Sequence, residues 1–187
     1  TGRPITSFGI NGIVDLKQHN DQELDPVKSE LAWNGAPVVA GNVVLVGAAS
    51  RAGGTPPSRR NAKGYVRGFD AKTGERLWIF HTIPQPGEFG HETWKDDSWE
   101  YTGNTGVWTQ MTVDTELGIA YLPVEIPTGD YYGGHRPGDN LFAESLVAVD
   151  VNTGQRIWHF QFVHHPIWDY DVPCAPILAD ITVDGRM

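Results

Sequence analysis

Two aspartates spaced two apart, Asp169 and Asp171 in the run His164-His165-Pro166-Ile167-Trp168-Asp169-Tyr170-Asp171, are the groups in this sequence best suited to proton chemistry. A carboxylate held against a hydroxyl can take its proton as a general base. On residue type alone, the same aspartate serves equally well as a turn residue capping a strand end. His164 and His165 match a zinc pair in type but not in placement, because adjacent residues on a strand point to opposite faces. Cys174 is the single cysteine, so no disulfide forms within the chain, and its expected place is that of a small buried residue. The acidic and aromatic stretch 87–104, with Glu88, Glu92, Trp94, Asp96, Asp97 and Trp99, either rims a cleft or covers a sheet edge. His135 and Arg136 are candidate substrate contacts in a polar loop.

The elements that must position these groups follow from a repeat. Residues 64–80 and 144–160 align without gaps and share Asp70/Asp150, Thr73/Thr153, Gly74/Gly154, Arg76/Arg156, Trp78/Trp158 and Phe80/Phe160. Each copy reads as strand, tight Asp-x-x-Thr-Gly turn, strand; the glycine provides a positive φ and the aspartate accepts backbone N–H groups. Upstream of each lies a further strand pair, 36–40 with 43–46 and 108–114 with 119–124, so each unit holds four antiparallel strands. Val, Ile, Tyr, Trp and Thr with period-two alternation support strands over helices. Four-stranded units in tandem indicate an all-β chain of β-propeller blades. The divisions are the end of a preceding blade in 1–32, a blade and its loop in 33–104, a blade in 105–163 and the start of the next in 164–187. A net charge of −9 argues against nucleic acid and anionic membrane surfaces.

The spacing Asp-x-x-Thr-Gly-x-x-x-Trp, at Asp70–Trp78 and Asp150–Trp158, resembles the tryptophan-docking motif of quinoprotein dehydrogenases, which use pyrroloquinoline quinone (PQQ). The resemblance covers the whole chain. It is nearest to the glucose dehydrogenase branch through Gly103-Asn104-Thr105-Gly106-Val107-Trp108, Pro127-Thr128-Gly129-Asp130-Tyr131-Tyr132-Gly133-Gly134 and the segment from His164 to Asp171. It implies an eight-bladed β-propeller, of which this chain supplies about two complete blades and two partial ones. It further implies PQQ, a Ca2+ or Mg2+ ion, a sugar or alcohol substrate, and a quinone or cytochrome as electron acceptor. The implied setting is periplasmic, or membrane-associated on the periplasmic side.

Residue by residue, the resemblance makes Asp169 the base that takes the substrate hydroxyl proton, with Asp171 either the true base or its partner. Trp108 becomes the flat floor under PQQ, and Asp169 and Thr128 the metal ligands. The loop 48–54, where relatives carry a further metal ligand, has no carboxylate; Ser50 and Arg51 there are candidates for hydrogen bonds to PQQ carboxylates. Relatives also carry an acidic residue where this chain has Pro166. A basic residue that contacts the quinone in relatives is expected beyond Met187, so the isolated chain is expected to be inactive and to associate with itself or with the remaining blades. A non-catalytic propeller scaffold that binds partner proteins is the competing reading.

Overall fold

A computed structural model describes residues 2–25, 27, 30–51 and 58–185. Its strands are β1 (Leu31–Ala32), β2 (Val38–Ala40), β3 (Val43–Val46), β4 (Ala49–Ser50), β5 (Val66–Asp70), β6 (Arg76–Phe80), β7 (Thr112–Asp114), β8 (Ile119–Val124), β9 (Ser145–Asp150) and β10 (Arg156–Gln161). Two four-stranded sheets result, β2-β3-β5-β6 and β7-β8-β9-β10, antiparallel throughout, while β1 and β4 form a small separate ribbon. Strand β2 starts at Val38 and β7 at Thr112, so Ala36 and Trp108, expected within strands, lie in the segments leading to them.

One local device makes three of the hairpins. Asp70 Oδ1 accepts the N–H groups of Lys72 and Thr73, Asp114 Oδ1 those of Glu116 and Leu117, and Asp150 Oδ1 those of Asn152 and Thr153. A glycine then closes each turn with positive φ: Gly74 at 77°, Gly118 at 67° and Gly154 at 69°. These bonds satisfy backbone donors that the strand ladders cannot reach.

The inner faces of both sheets make one core. Val43, Leu45, Val66 and Phe80 from the first sheet join Ala120, Leu122, Val124, Val147 and Val149 from the second, with Val107, Met111 and Phe142 between them. Trp78 locks the two sheets. Its indole N–H donates to the carbonyl of Val151 at 2.8 Å, on the turn of the second sheet. A Cβ on Gly154 would stand 2.5 Å from the ring and one on Gly68 2.2 Å, so both must be glycine for the indole to lie between them. The first sheet's own turn is met by the N-terminal segment, where Gly9 N–H donates to Thr73 O at 2.7 Å.

Trp158 holds the equivalent place in the second sheet but is 40% exposed, with Tyr121 as its ring neighbour at 5.9 Å. The docking motif implies that both tryptophans are buried between sheets; for Trp158 this is corrected, since no further turn covers it among the described residues. Cys174 is exposed, not buried, because its segment runs outside the sheets. In the stretch 87–104, Trp94 and Trp99 pack with Tyr65 and Ile83, and the Trp94 indole donates to Leu141 O, so this stretch covers a sheet edge. Trp78→Ala is expected to cost about 3–5 kcal/mol in denaturant unfolding, and Trp158→Ala about 1–2 kcal/mol, as fits a half-exposed ring. Equal losses would contradict the docking role of Trp78.

Candidate functional site

Residues 103–108 form a strip laced to both sheets. On one side Asn104 N–H donates to Ala62 O at 2.8 Å, Gly64 N–H to Asn104 O at 2.7 Å and Val107 N–H to Ala48 O at 3.0 Å. On the other, Glu125 N–H reaches Gly106 O at 2.9 Å and Thr128 N–H reaches Gly103 O at 3.0 Å. The Asn104 side chain repeats the stitch, accepting from Ser50 N–H at 2.7 Å and donating to Ile126 O at 2.9 Å. Backbones approach so closely that a Cβ on Gly106 would lie 1.9 Å from Ala48 O, and one on Gly64 2.5 Å from Gly106 Cα. The strip delivers Trp108, half-buried, with its indole N–H buried and without a partner.

The segment after β10 returns alongside. The Thr109 hydroxyl donates to Pro173 O and the Thr112 hydroxyl to Pro176 O, each at 2.6 Å. From the neighbouring loop, Tyr131 donates its hydroxyl hydrogen to Asp169 Oδ2 at 3.0 Å. Asp169 is exposed and has φ 53°, in the left-handed region.

Around it stand four more carboxyl groups that resist ionising. Burial, with the charges of Asp171, Asp130 and Asp169, pushes Glu125 up to about 8, although the Asn104 side chain favours its ionised form. Burial and the Asp171 charge push Glu144 up to about 7, with the Tyr170 N–H and Arg136 opposing. Asp130 and Asp171 are each raised by burial first and by Asp169 second. Glu125 Oε1 is buried with no hydrogen-bond donor on it, and the Glu144 carboxyl is buried with the Tyr170 N–H beside it. Thr109, next to Trp108 in the chain, is thus tied to the segment that follows Asp171, and the carboxyl oxygens of this region are of the type a hard cation takes.

The whole of residues 1–187 matches the family model for the PQQ glucose/ethanol/alcohol dehydrogenase β-propeller domain. The chain belongs to this family. It is 33% identical over its full length to a quinoprotein glucose dehydrogenase of Gluconobacter oxydans (strain 621H), of which it covers 22%. It is 40% identical over 69% of its length to a quinoprotein glucose dehydrogenase of Escherichia coli (strain K12), covering 16% of that protein. Among solved structures, the quinohemoprotein alcohol dehydrogenase of Comamonas testosteroni matches 85% of the chain with TM-score 0.71 and 30% identity, and the chain covers 25% of it. The chain therefore spans about a quarter or less of these relatives.

Membership in a PQQ propeller family gives the site its frame. The fold ties Thr109, the neighbour of Trp108, to Pro173, two residues beyond Asp171, and Thr128 lies in the loop whose Tyr131 bonds Asp169. Thr128 is buried, and its hydroxyl oxygen accepts Gly103 N–H at 3.1 Å and the Asn61 amide at 3.3 Å, which braces the strip. Ser50 joins through its backbone bond to Asn104. Arg51 is exposed and its N–H donates to Glu30 O at 2.7 Å; Ala52-Gly53-Gly54 of the same loop lie outside the described residues. Arg136 is not the substrate contact that its polar loop suggests. It is fully buried and donates to Asn140 Oδ1, Gly129 O and Pro166 O, tying that loop to the Asp169 segment.

Among the described residues, no three His, Cys, Asp or Glu side chains gather closely enough to hold a metal by themselves. Glu125, Asp130, Tyr131 and Glu144 escape motif reading. Their signal is an acid inside an apolar run, Glu125 after Ala120-Tyr121-Leu122-Pro123-Val124 and Glu144 in Leu141-Phe142-Ala143-Glu144-Ser145-Leu146-Val147.

These two glutamates make stability depend on pH. An unfolded carboxyl loses its proton near 4.5, whereas folded Glu125 keeps it until about 8. Folding takes up that proton in between, so stability falls as pH rises through this window, by roughly 1.4 kcal/mol per pH unit for one such group. Thermal unfolding of Glu125→Gln between about pH 5 and pH 8 is expected to show a shallower fall than the parent. An identical slope would mean that Glu125 is ionised when folded.

Proposed function

We propose that the protein carrying this chain is a PQQ-dependent oxidoreductase acting on a hydroxyl of a sugar or alcohol, with this chain supplying the stacking floor and the base. The observation that carries this reading is the tie between the end of the strip and the Asp169 segment: Thr109, next to Trp108, donates to Pro173 O, two residues beyond Asp171. A non-catalytic scaffold needs blade docking but has no use for buried carboxylic acids gathered around an exposed aspartate.

The residues present fit the cofactor. Trp108 offers an indole face for a planar ring system, with its buried N–H still lacking an acceptor. The unpartnered Oε1 of Glu125 and the carboxyl oxygens of Glu144, Asp169 and Asp171 fit a Ca2+ or Mg2+ ion by their chemistry. Too few of them converge to hold it alone, so the reading draws the remaining ligands from cofactor oxygens. Asp169 is the protein ligand we assign first. Thr128 would join only by giving up one of its two donors.

Bound PQQ would supply the two-electron acceptor for the substrate's hydride. The chain's own part is proton handling and orientation. Asp169 takes the hydroxyl proton while Tyr131 holds its Oδ2 in place. Asp171, two residues on and raised by the same charges, is the next candidate base. Glu125, kept mostly protonated at neutral pH by burial, adds less negative charge to the site than an ionised carboxylate would.

A quinone or cytochrome acceptor, supported by the haem named in the quinohemoprotein relative, completes the reaction, and the setting we propose is periplasmic or membrane-associated on the periplasmic side. The exposed side chains of Trp158 and Phe160, at alternate positions of β10, share one face that a following blade would cover.

In the complete protein, Asp169→Asn is expected to keep PQQ affinity and lower single-turnover quinone reduction about a hundredfold or more. Trp108→Ala is expected to weaken PQQ binding roughly tenfold and leave the base in place. Wild-type reduction by Asp169→Asn, with substrate and metal saturating, would transfer the role to Asp171. The 187-residue chain alone is expected to reduce no dye with PQQ added.

A further inference from the structure

A cleft of about 450 Å3 opens between the segment before β5 and the loop after β8, next to the Asp169 site. Its volume falls within the span of small-molecule sites, about 300–1,000 Å3. Arg59, Asn61, Thr128, Asp130, Tyr132 and His135 line it. Asp130 also senses the charge of Asp169, and Tyr131, between Asp130 and Tyr132 in the chain, is bonded to Asp169 Oδ2. The cleft therefore adjoins the base rather than lying remote from it.

Its walls are partly preset. The Arg59 guanidinium sits over the Tyr101 ring, 4.1 Å from the centroid, and the Tyr101 hydroxyl donates to His135 O. The rings of Tyr132 and His135 stack with centroids 5.9 Å apart and planes at 29°. Gly129, with φ 91°, leaves the space the imidazole fills, since a Cβ there would lie 2.6 Å from His135 Cε1. Burial and the neighbouring Arg136 and Arg59 lower the proton affinity of His135, so at neutral pH its ring is uncharged and can both donate and accept.

The lining selects its occupant by exclusion. A small anion would meet the Asp130 carboxylate, a small cation the Arg59 guanidinium, and an apolar group would leave both charges unpaired. Neighbouring hydroxyls satisfy all of them, accepting from Arg59 and donating to Asp130, while the C–H face of a ring rests on the Tyr132–His135 stack. We propose that this cleft takes the hydroxyl-bearing body of a polyol or sugar whose reacting hydroxyl lies at Asp169. Arg59, Asp130 and His135 then decide for polyhydroxylated over monohydroxylated substrates. This rests on the oxidoreductase reading above and names its substrate class.

Two measurements on the complete protein test it. The first is binding of methyl glucoside to the PQQ-free protein by calorimetry, for wild type, Arg59→Ala, His135→Ala and Arg59→Lys. The second is kcat and KM of the PQQ-loaded forms with glucose and with 1-butanol. Both alanine variants are expected to weaken methyl glucoside at least fivefold. They should also reduce kcat/KM for glucose at least fivefold more than for 1-butanol, chiefly through KM. Arg59→Lys, which keeps a charged donor, should recover part of the loss. No methyl glucoside binding by wild type, or glucose and 1-butanol falling in parallel, would overturn the subsite. Polyol binding that the variants lose, in a protein that oxidises no hydroxyl, would uphold the subsite and refute the oxidoreductase reading instead.

Discussion

The indole of Trp78 is the joint on which the rest of the structure depends. It lies between Gly68 of its own sheet and Gly154 of the next, and its N–H closes on Val151 O at 2.8 Å. A buried donor left unpaired would cost more than the bond itself gains, so this contact admits one relative placement of the two sheets. With that placement set, the strip 103–108 fits between them through close backbone approach at Gly64 and Gly106 and through the Asn104 side chain. A methyl group at either glycine would push the sheets apart and move Trp108 with them.

Electrostatics at the site follow from this packing. The strip brings Glu125 under the sheets' inner edge, and the buried start of β9 brings Glu144 beside it, where Glu144 N–H meets Glu125 O at 3.4 Å. Desolvation raises both, Glu125 to about 8 and Glu144 to about 7, so near neutral pH Glu125 is mostly protonated and Glu144 about half so. Arg136 binds three carbonyl-type oxygens and holds the loop of Tyr131 against the segment of Asp169.

The blades were legible because their information is local. Asp70, Gly74 and Trp78 recur at the same spacing as Asp150, Gly154 and Trp158, and an Asp-x-x-Thr-Gly turn forms from five consecutive residues. For Trp108 and Asp169 the sequence offers only the resemblance to a family, since a lone Trp or Asp carries no such spacing. What escaped reading is set by distant partners. Arg136 resembles a solvent-facing loop residue until Asn140, Gly129 and Pro166 are seen around it. Thr128 offers a hydroxyl that Gly103 and Asn61 already occupy. Trp158 repeats Trp78 in sequence, yet its burial needs a turn on the far side of its sheet.

The most direct test is the separation between PQQ and the Trp108 indole in an experimental structure of the complete, PQQ-loaded protein. The expected result is the quinone ring lying parallel to the indole at van der Waals contact, about 3.5–4.0 Å. The Asp169 carboxylate should stand at the edge of the same cavity, still bonded to Tyr131. A quinone bound elsewhere, or a Trp108 face covered by another protein group with PQQ present, would contradict the account.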